Sequence, residues 1–288
     1  MKSNSKSLTL AAAGKTFLIG EYSVLFGGSA IILLTPPPFK LKAEKGNTNL
    51  VGIEENSPAY LFFKCHDFSG LSLEFEDPYL KSGGFGASSA QFALLYKLHL
   101  RLTGDKFDVG RFLEEYRSLS ATKETTILPS GADCVAQYFN HHVFFDAGTN
   151  VVRKIDPKFP NLDFAVCKTG RKVITHLHLQ SLPPLPTSEL QRLTEDAAKS
   201  FLNADEELLV KSIRGFFDLL RKQKIIADFT AETADRLLKT DGVAAVKGCG
   251  AAGADTILMV FEKRKRDSVL EEARRLGLHN PAPLCSNP

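Results

Sequence analysis

The residues best suited to chemistry lie in 81–96, KSGGFGASSAQFALLY. Gly83, Gly84 and Gly86 remove side chains where a backbone must turn sharply and approach a partner closely. Ser88 and Ser89 follow at the expected first turn of a helix, where unpaired N–H groups and the positive end of the dipole gather. Such a place binds anions, and the usual biological anion is a phosphate. The same residues also suit a glycine loop entering an ordinary core helix with Ser88 as its cap. Lys15, Glu21 and Tyr22 interrupt the otherwise apolar stretch AGKTFLIGEYSVLFGGSAIILL, residues 13–34. Buried charge is costly unless paired, so Lys15 and Glu21 need either a function or a strand with one wet face. Asp133 closes the loop TKETTILPSGADC, where it suits proton handling or, after Pro129-Ser130-Gly131, a helix N-cap. A second glycine-rich turn runs from Gly250 to Asp255.

The chain has 288 residues, 43% hydrophobic, with 36 basic and 33 acidic residues. That size fits one large or two closely packed units. The charge balance excludes a broad nucleic-acid or membrane surface and leaves room for a local basic pocket. Cys65, Cys134, Cys167, Cys249 and Cys285 are far apart and form no Cys-x-x-Cys pair. This argues against a disulfide framework or structural zinc site and for reduced thiols in a cytoplasmic protein. His176 and His178 alternate as a strand face would. The N-terminal apolar run is shorter than most signal-peptide cores and is broken by Gly14-Lys15.

Strands are expected at 7–13, 38–43, 70–76 and in VFFDAG, with a helix or loop near 57–67 and an extended break at Pro36-Pro37-Pro38. Helices are expected over 88–103, ended by Gly104, and over about 108–120, where Phe112, Leu113, Tyr116 and Leu119 recur at helical spacing. The character changes near 155, which divides a β-rich N-terminal domain, 1–155, from an α/β C-terminal domain, 156–288. In the latter, a strand at 162–170 precedes a proline-rich break and helices near 188–203, 205–223 and 228–239. A strand–glycine turn–strand unit and a last helix complete it.

These pieces resemble the GHMP kinase superfamily, the fold shared by mevalonate, phosphomevalonate, homoserine and galactose kinases. Its first motif, PGK-x-x-x-x-GE, appears as AGKTFLIGE with Ala13 in place of proline. Its second appears as Gly84-Phe85-Gly86-Ala87-Ser88-Ser89-Ala90, a Ser-Gly-x-Asp motif as Ser130-Gly131-Ala132-Asp133, and its third as Gly250-Ala251-Ala252-Gly253-Ala254-Asp255. All four occur in the family's order. The resemblance implies an α+β, two-domain protein: an N-terminal domain like ribosomal protein S5 domain 2 and a ferredoxin-like C-terminal domain, with the site in the cleft between them.

The resemblance also implies roles. Gly84, Phe85, Gly86, Ala87, Ser88 and Ser89 would wrap the phosphates of ATP, with Ser88 helping to hold Mg²⁺. Asp133 would orient or deprotonate the acceptor, with Lys15 steadying the transferring group. Many members place a Mg²⁺ glutamate where this chain has Thr122, and the nearest acid is Glu124. Glu21, Tyr22, Ser130, Gly131, Gly250, Ala251 and Asp255 would face the acceptor. Gly20-Glu21-Tyr22, the terminal Asp255 and the segment Thr169–Thr175 look like phosphomevalonate kinases, and Arg171 with Lys172 would supply cations for a phosphorylated acceptor. The implied reaction is conversion of 5-phosphomevalonate to 5-diphosphomevalonate in isoprenoid synthesis, by a monomer or homodimer. Mevalonate phosphorylation and a GHMP fold that binds without catalysing are the alternatives.

Overall fold

The computed structural model describes residues 7–284 except Ser82, Lys123, Glu124, Thr126 and 172–181. His176, His178, Lys172 and Glu124 therefore fall outside the described residues.

β2 (Ser29–Lys45) is the spine of the first sheet. Its first half is apolar and buried on both faces, while Phe39, Leu41 and Ala43 alternate with polar neighbours and turn inward. β1 (Leu8–Ile19) pairs antiparallel along it, β4 (Leu71–Glu76) flanks residues 40–45, and β5 (Val143–Asp146) flanks residues 29–32. β3 (Asn49–Val51), parallel to β4, and β6 (Val151–Lys154), antiparallel to β5, complete it. The proline run does not end the strand. The register passes from Gly14↔Thr35 to Ala12↔Phe39, so Pro36, Pro37 and Pro38 sit in a bulge where no ladder N–H is required.

α1 (Pro58–Cys65), α2 (Ala87–Thr103), α3 (Val109–Ser120) and α4 (Ala132–Phe139) belong to the first half, with α2 and α4 against β1 and β2. Phe62, Phe92, Tyr96 and Phe112 fill the space between α1, α2 and α3 with tilted and edge-on ring contacts.

The first sheet ends at Lys154 and the second opens at Leu162. β7 (Leu162–Lys168) leads to α5 (Thr187–Asn203), α6 (Glu206–Lys222) and α7 (Asp228–Leu237). β8 (Val243–Cys249), β9 (Thr256–Glu262), α8 (Arg266–Arg275) and β10 (His279–Pro283) follow. The strand order β10-β7-β9-β8, antiparallel throughout, is the ferredoxin-like arrangement. α5 reaches back to β2: Gln191 accepts the Ser29 N–H at 2.7 Å and its amide donates to Ser29 Oγ at 2.9 Å. None of the described helices is long and apolar enough to cross a membrane.

Candidate active site

The glycine loop is bound tightly to β1. Lys15 N–H donates to the Phe85 carbonyl at 3.0 Å. Gly83, Gly84 and Gly86 have φ of 77°, 81° and 81°, values that favour glycine. Gly86, not Ser88, is the N-cap of α2. A Cβ on Gly86 would lie 2.7 Å from the Lys15 stem, and one on Gly84 would lie 2.6 Å from Thr256 Cγ2. The fully buried amide of Gln137 donates to the Ala13 carbonyl at 2.9 Å and the Gly86 carbonyl at 3.2 Å. Phe85 is buried and stacks on Tyr79 with centroids 4.2 Å apart, while Lys168 Nζ lies over both rings. Burial lowers the Lys168 pKa, and Asp77 opposes the shift. Ala87 and the exposed Ser88 line the cleft, whereas Ser89 is buried and donates to the Gly86 carbonyl at 3.0 Å.

The catalytic candidates meet across this loop. Lys15 Nζ lies 3.5 Å from Asp133 Oδ2, with side chains 15% and 22% exposed. Asp133 does not cap α4. Gly131, at φ 77°, does, which puts Asp133 in the first turn where the helix dipole favours an anion. The Ser130 carbonyl accepts from Arg117 at 2.7 Å, fixing the turn before it. Tyr116, buried beside this pair, has its phenol pushed well up by burial, with Cys134 and Asp133 adding to the shift.

The third glycine-rich turn closes the cleft from the second sheet. Gly250 and Gly253 have φ of 87° and 64°, and Ala252 adopts the same left-handed region at 52° despite its Cβ. Thr169 N–H donates to the Asp255 carbonyl at 3.2 Å. The buried Tyr22 has its phenol pushed far up by burial and by the Glu21 charge, and its hydroxyl is hydrogen-bonded to the Ala252 backbone. Glu21 Oε1 accepts from Lys247 Nζ at 2.5 Å. Burial pulls the Lys247 ammonium down, but Cys249 and Glu21 more than offset it, and its pKa stands above the ordinary lysine value.

Together these segments enclose a cleft of about 520 Å³ that contains Lys15, Glu21, Tyr22, Gly84, Gly86, Ala87, Ser88, Ser130, Asp133, Gly250 and Asp255. Gly131 is behind this lining, and the Arg171 guanidinium rests on the Phe229 ring at 4.3 Å, also outside it. Ala251 is described only by its backbone place in the turn. Gln91 of α2 extends the cleft, as do Gly52, Glu54, Ser57 and Asp77, which nothing in the sequence of their connecting segments marks. Gln137 and Lys247 also escaped sequence reasoning, because folding alone brings Gln137 to Ala13 and Gly86 and Lys247 to Glu21.

The lining fits a nucleotide with Mg²⁺. Gly84 and Gly86, both of left-handed φ, lead into the start of α2, whose first N–H groups have no partner within the helix. Among the described residues the cleft offers the Ser88 hydroxyl, five carboxylates and the Cys249 thiol, with no histidine or methionine; its oxygens are the donors a hard cation takes. Among the described residues no group of three or more histidine, cysteine or acidic side chains is set to hold a metal alone.

No protein-family model matches the sequence, and no curated protein sequence does. Solved structures do. Phosphomevalonate kinase of Streptococcus pneumoniae matches with a TM-score of 0.79 at 14% identity, over 96% of this chain and 99% of that one. The same kinase in complex with phosphomevalonate and AMPPNP gives 0.76 at 14% identity, over 96% and 99%. Mevalonate kinase of Methanococcus jannaschii gives 0.75 at 14% identity, over 99% and 100%. The chain has the GHMP kinase fold over nearly its whole length.

Proposed function

We propose that this protein is a kinase that transfers the γ-phosphoryl group of ATP to a small acceptor of the mevalonate type. The observation that carries the reading is the meeting of the Gly83–Ser88 loop with the Lys15–Asp133 pair in one cleft. Backbone N–H groups of the loop and the first turn of α2 would hold the phosphates. Asp133 would orient the acceptor and take up its proton, and Lys15 would steady negative charge on the transferring group. Little covalent work remains for the protein in such a reaction, so positioning and electrostatics supply most of the rate. Mg²⁺, held by the Ser88 hydroxyl, a cleft carboxylate, phosphates and water, supplies neutralisation of the phosphate charge when bound.

For the acceptor we propose 5-phosphomevalonate, which receives the phosphoryl group on its phosphate. Gly20-Glu21-Tyr22, the terminal Asp255 and the fold likeness to a phosphomevalonate kinase support it. One observation favours mevalonate instead. The described lining carries Lys15 and Lys81 against Glu21, Glu54, Asp77, Asp133 and Asp255, and Arg171 lies elsewhere. An acceptor that carries a phosphate beside its carboxylate gains less from such a lining than an acceptor whose only charge is a carboxylate. A coupled ADP-release assay over phosphomevalonate, mevalonate, homoserine and galactose separates the readings. Turnover of mevalonate without phosphomevalonate rejects the first acceptor. ATP binding with no consumption on any acceptor rejects the kinase and leaves a binding protein.

A further inference from the structure

We infer that Lys247 is a positioning residue for phosphoryl transfer, acting through Glu21 to hold the 250–255 turn against the segment that carries Lys15 and Glu21. The inference rests on the kinase reading above. Lys247 is fully buried and does not line the cleft. Its ammonium donates to Glu21 Oε1 at 2.5 Å and to the Gly248 carbonyl at 3.3 Å. Glu21 does line the cleft, and its other oxygen, Oε2, is buried with no hydrogen-bond partner.

Stability alone is a poor reason for such a pair. Replacing a buried ion pair with apolar residues of similar volume is often neutral or favourable, whereas removing one partner strands a charge. What the pair does achieve is registry. Glu21 follows β1, which carries Lys15, and Lys247 sits on β8, which runs directly into Cys249 and Gly250 of the cleft. Two further links span the same seam: Cys249 Sγ donates to the Phe17 carbonyl at 3.4 Å, and the Tyr22 hydroxyl is bonded to the Ala252 backbone. The ion pair is the strongest of the three and the one charged link, so it fixes how the turn bearing Asp255 faces Lys15 and Asp133. The phosphate loop belongs to the first half and keeps its own supports, Gln137 and the Lys15–Phe85 hydrogen bond.

The test compares Lys247→Met, Glu21→Gln and the double variant. Lys247→Met is expected to lower kcat by about 100-fold while the KM for ATP stays within about threefold, since a misplaced facing wall costs transfer rather than nucleotide binding. The double variant has no stranded charge and is expected to melt close to the unaltered protein yet keep the low kcat. Recovery of kcat in the double variant would make the pair merely structural and overturn the inference. A second readout needs no substrate: amide hydrogen exchange at 249–255 should speed up about tenfold in the double variant, and unchanged exchange would also overturn it. If the unaltered protein consumes no ATP with any acceptor, the kinase reading fails by itself, and exchange still decides whether the pair holds the turn.

Discussion

A single methyl group at Gly86 tests whether the loop positions Lys15 for chemistry. A Cβ there would lie 2.7 Å from Lys15 Cγ and Cε, so the stem must recede by about 0.7 Å to reach the 3.4 Å of ordinary contact. The Lys15 backbone is pinned to the Phe85 carbonyl at 3.0 Å, so the displacement passes to the side chain and its ammonium, 3.5 Å from Asp133. A shift near 1 Å at a catalytic group costs on the order of 100-fold in rate, or about 2.7 kcal/mol of barrier. The left-handed φ of 81° adds a backbone cost of about 1–2 kcal/mol, which lowers the melting temperature by about 2–4 °C per kcal/mol in a protein of this size. Gly104, at the other end of the same helix, separates the two effects. It has φ 79°, and a Cβ there meets nothing within 4 Å. Gly104→Ala should therefore lose comparable stability and keep its kcat, while Gly86→Ala loses both. Steady-state kcat from ADP release, measured well below both melting temperatures, provides the comparison. Equal kcat in the two variants would refute the link between loop, lysine and transfer.

Other substitutions probe separate contacts. Gln137→Leu strips the hydrogen bonds from the Ala13 and Gly86 carbonyls and should cost about 2–3 kcal/mol in urea unfolding; a loss under 0.5 kcal/mol would show that neither bond matters. Lys168→Met removes the cation above the Tyr79–Phe85 stack and should raise the KM for ATP by about threefold to tenfold with little change in kcat. A fall in kcat at constant KM would place its effect in the chemical step instead. Arg171→Ala should leave the acceptor KM within about twofold, because the guanidinium rests on Phe229 outside the cleft; a tenfold rise would bring Arg171 into the acceptor site.

What the sequence revealed was whatever depends on backbone geometry. Gly83, Gly84 and Gly86 announce the loop because left-handed turns and close approach exclude other side chains locally. The C-terminal end of α2 was equally plain, since Gly104 caps it with positive φ, whereas the N-cap fell at Gly86 and not at Ser88. β2 was harder. Three prolines read as an interruption, and only the jump in pairing from Thr35 to Phe39 explains how one strand accommodates them. Charge was legible as a demand and not as an answer. Lys15 and Glu21 stood out in apolar sequence, yet the groups beside them come from far along the chain: Asp133 by the packing of α4 on β1, and Lys247 from the second sheet. Arg171 shows the same gap: its positive charge suggested a phosphate, and folding sets its guanidinium over Phe229 of α7.

That division bears on the acceptor. A phosphate cradle is built from main-chain groups and recurs wherever glycines recur, so it identifies the donor. Acceptor choice rests on side chains converging from both halves, and their balance here is two lysines against five carboxylates along the described cleft. A triphosphate bound as proposed would burden that cleft with negative charge. Among the described residues, each further anion on the acceptor would then be met by Mg²⁺ or by Lys15 and Lys81, the two lysines of the described lining. Lys81→Met should accordingly separate the two acceptors: its effect on the acceptor KM is large, about tenfold, if the acceptor carries a phosphate, and within about twofold if it carries only a carboxylate. Parallel KM measurements with phosphomevalonate and mevalonate check this, and an equal change for both would show that Lys81 does not discriminate between them.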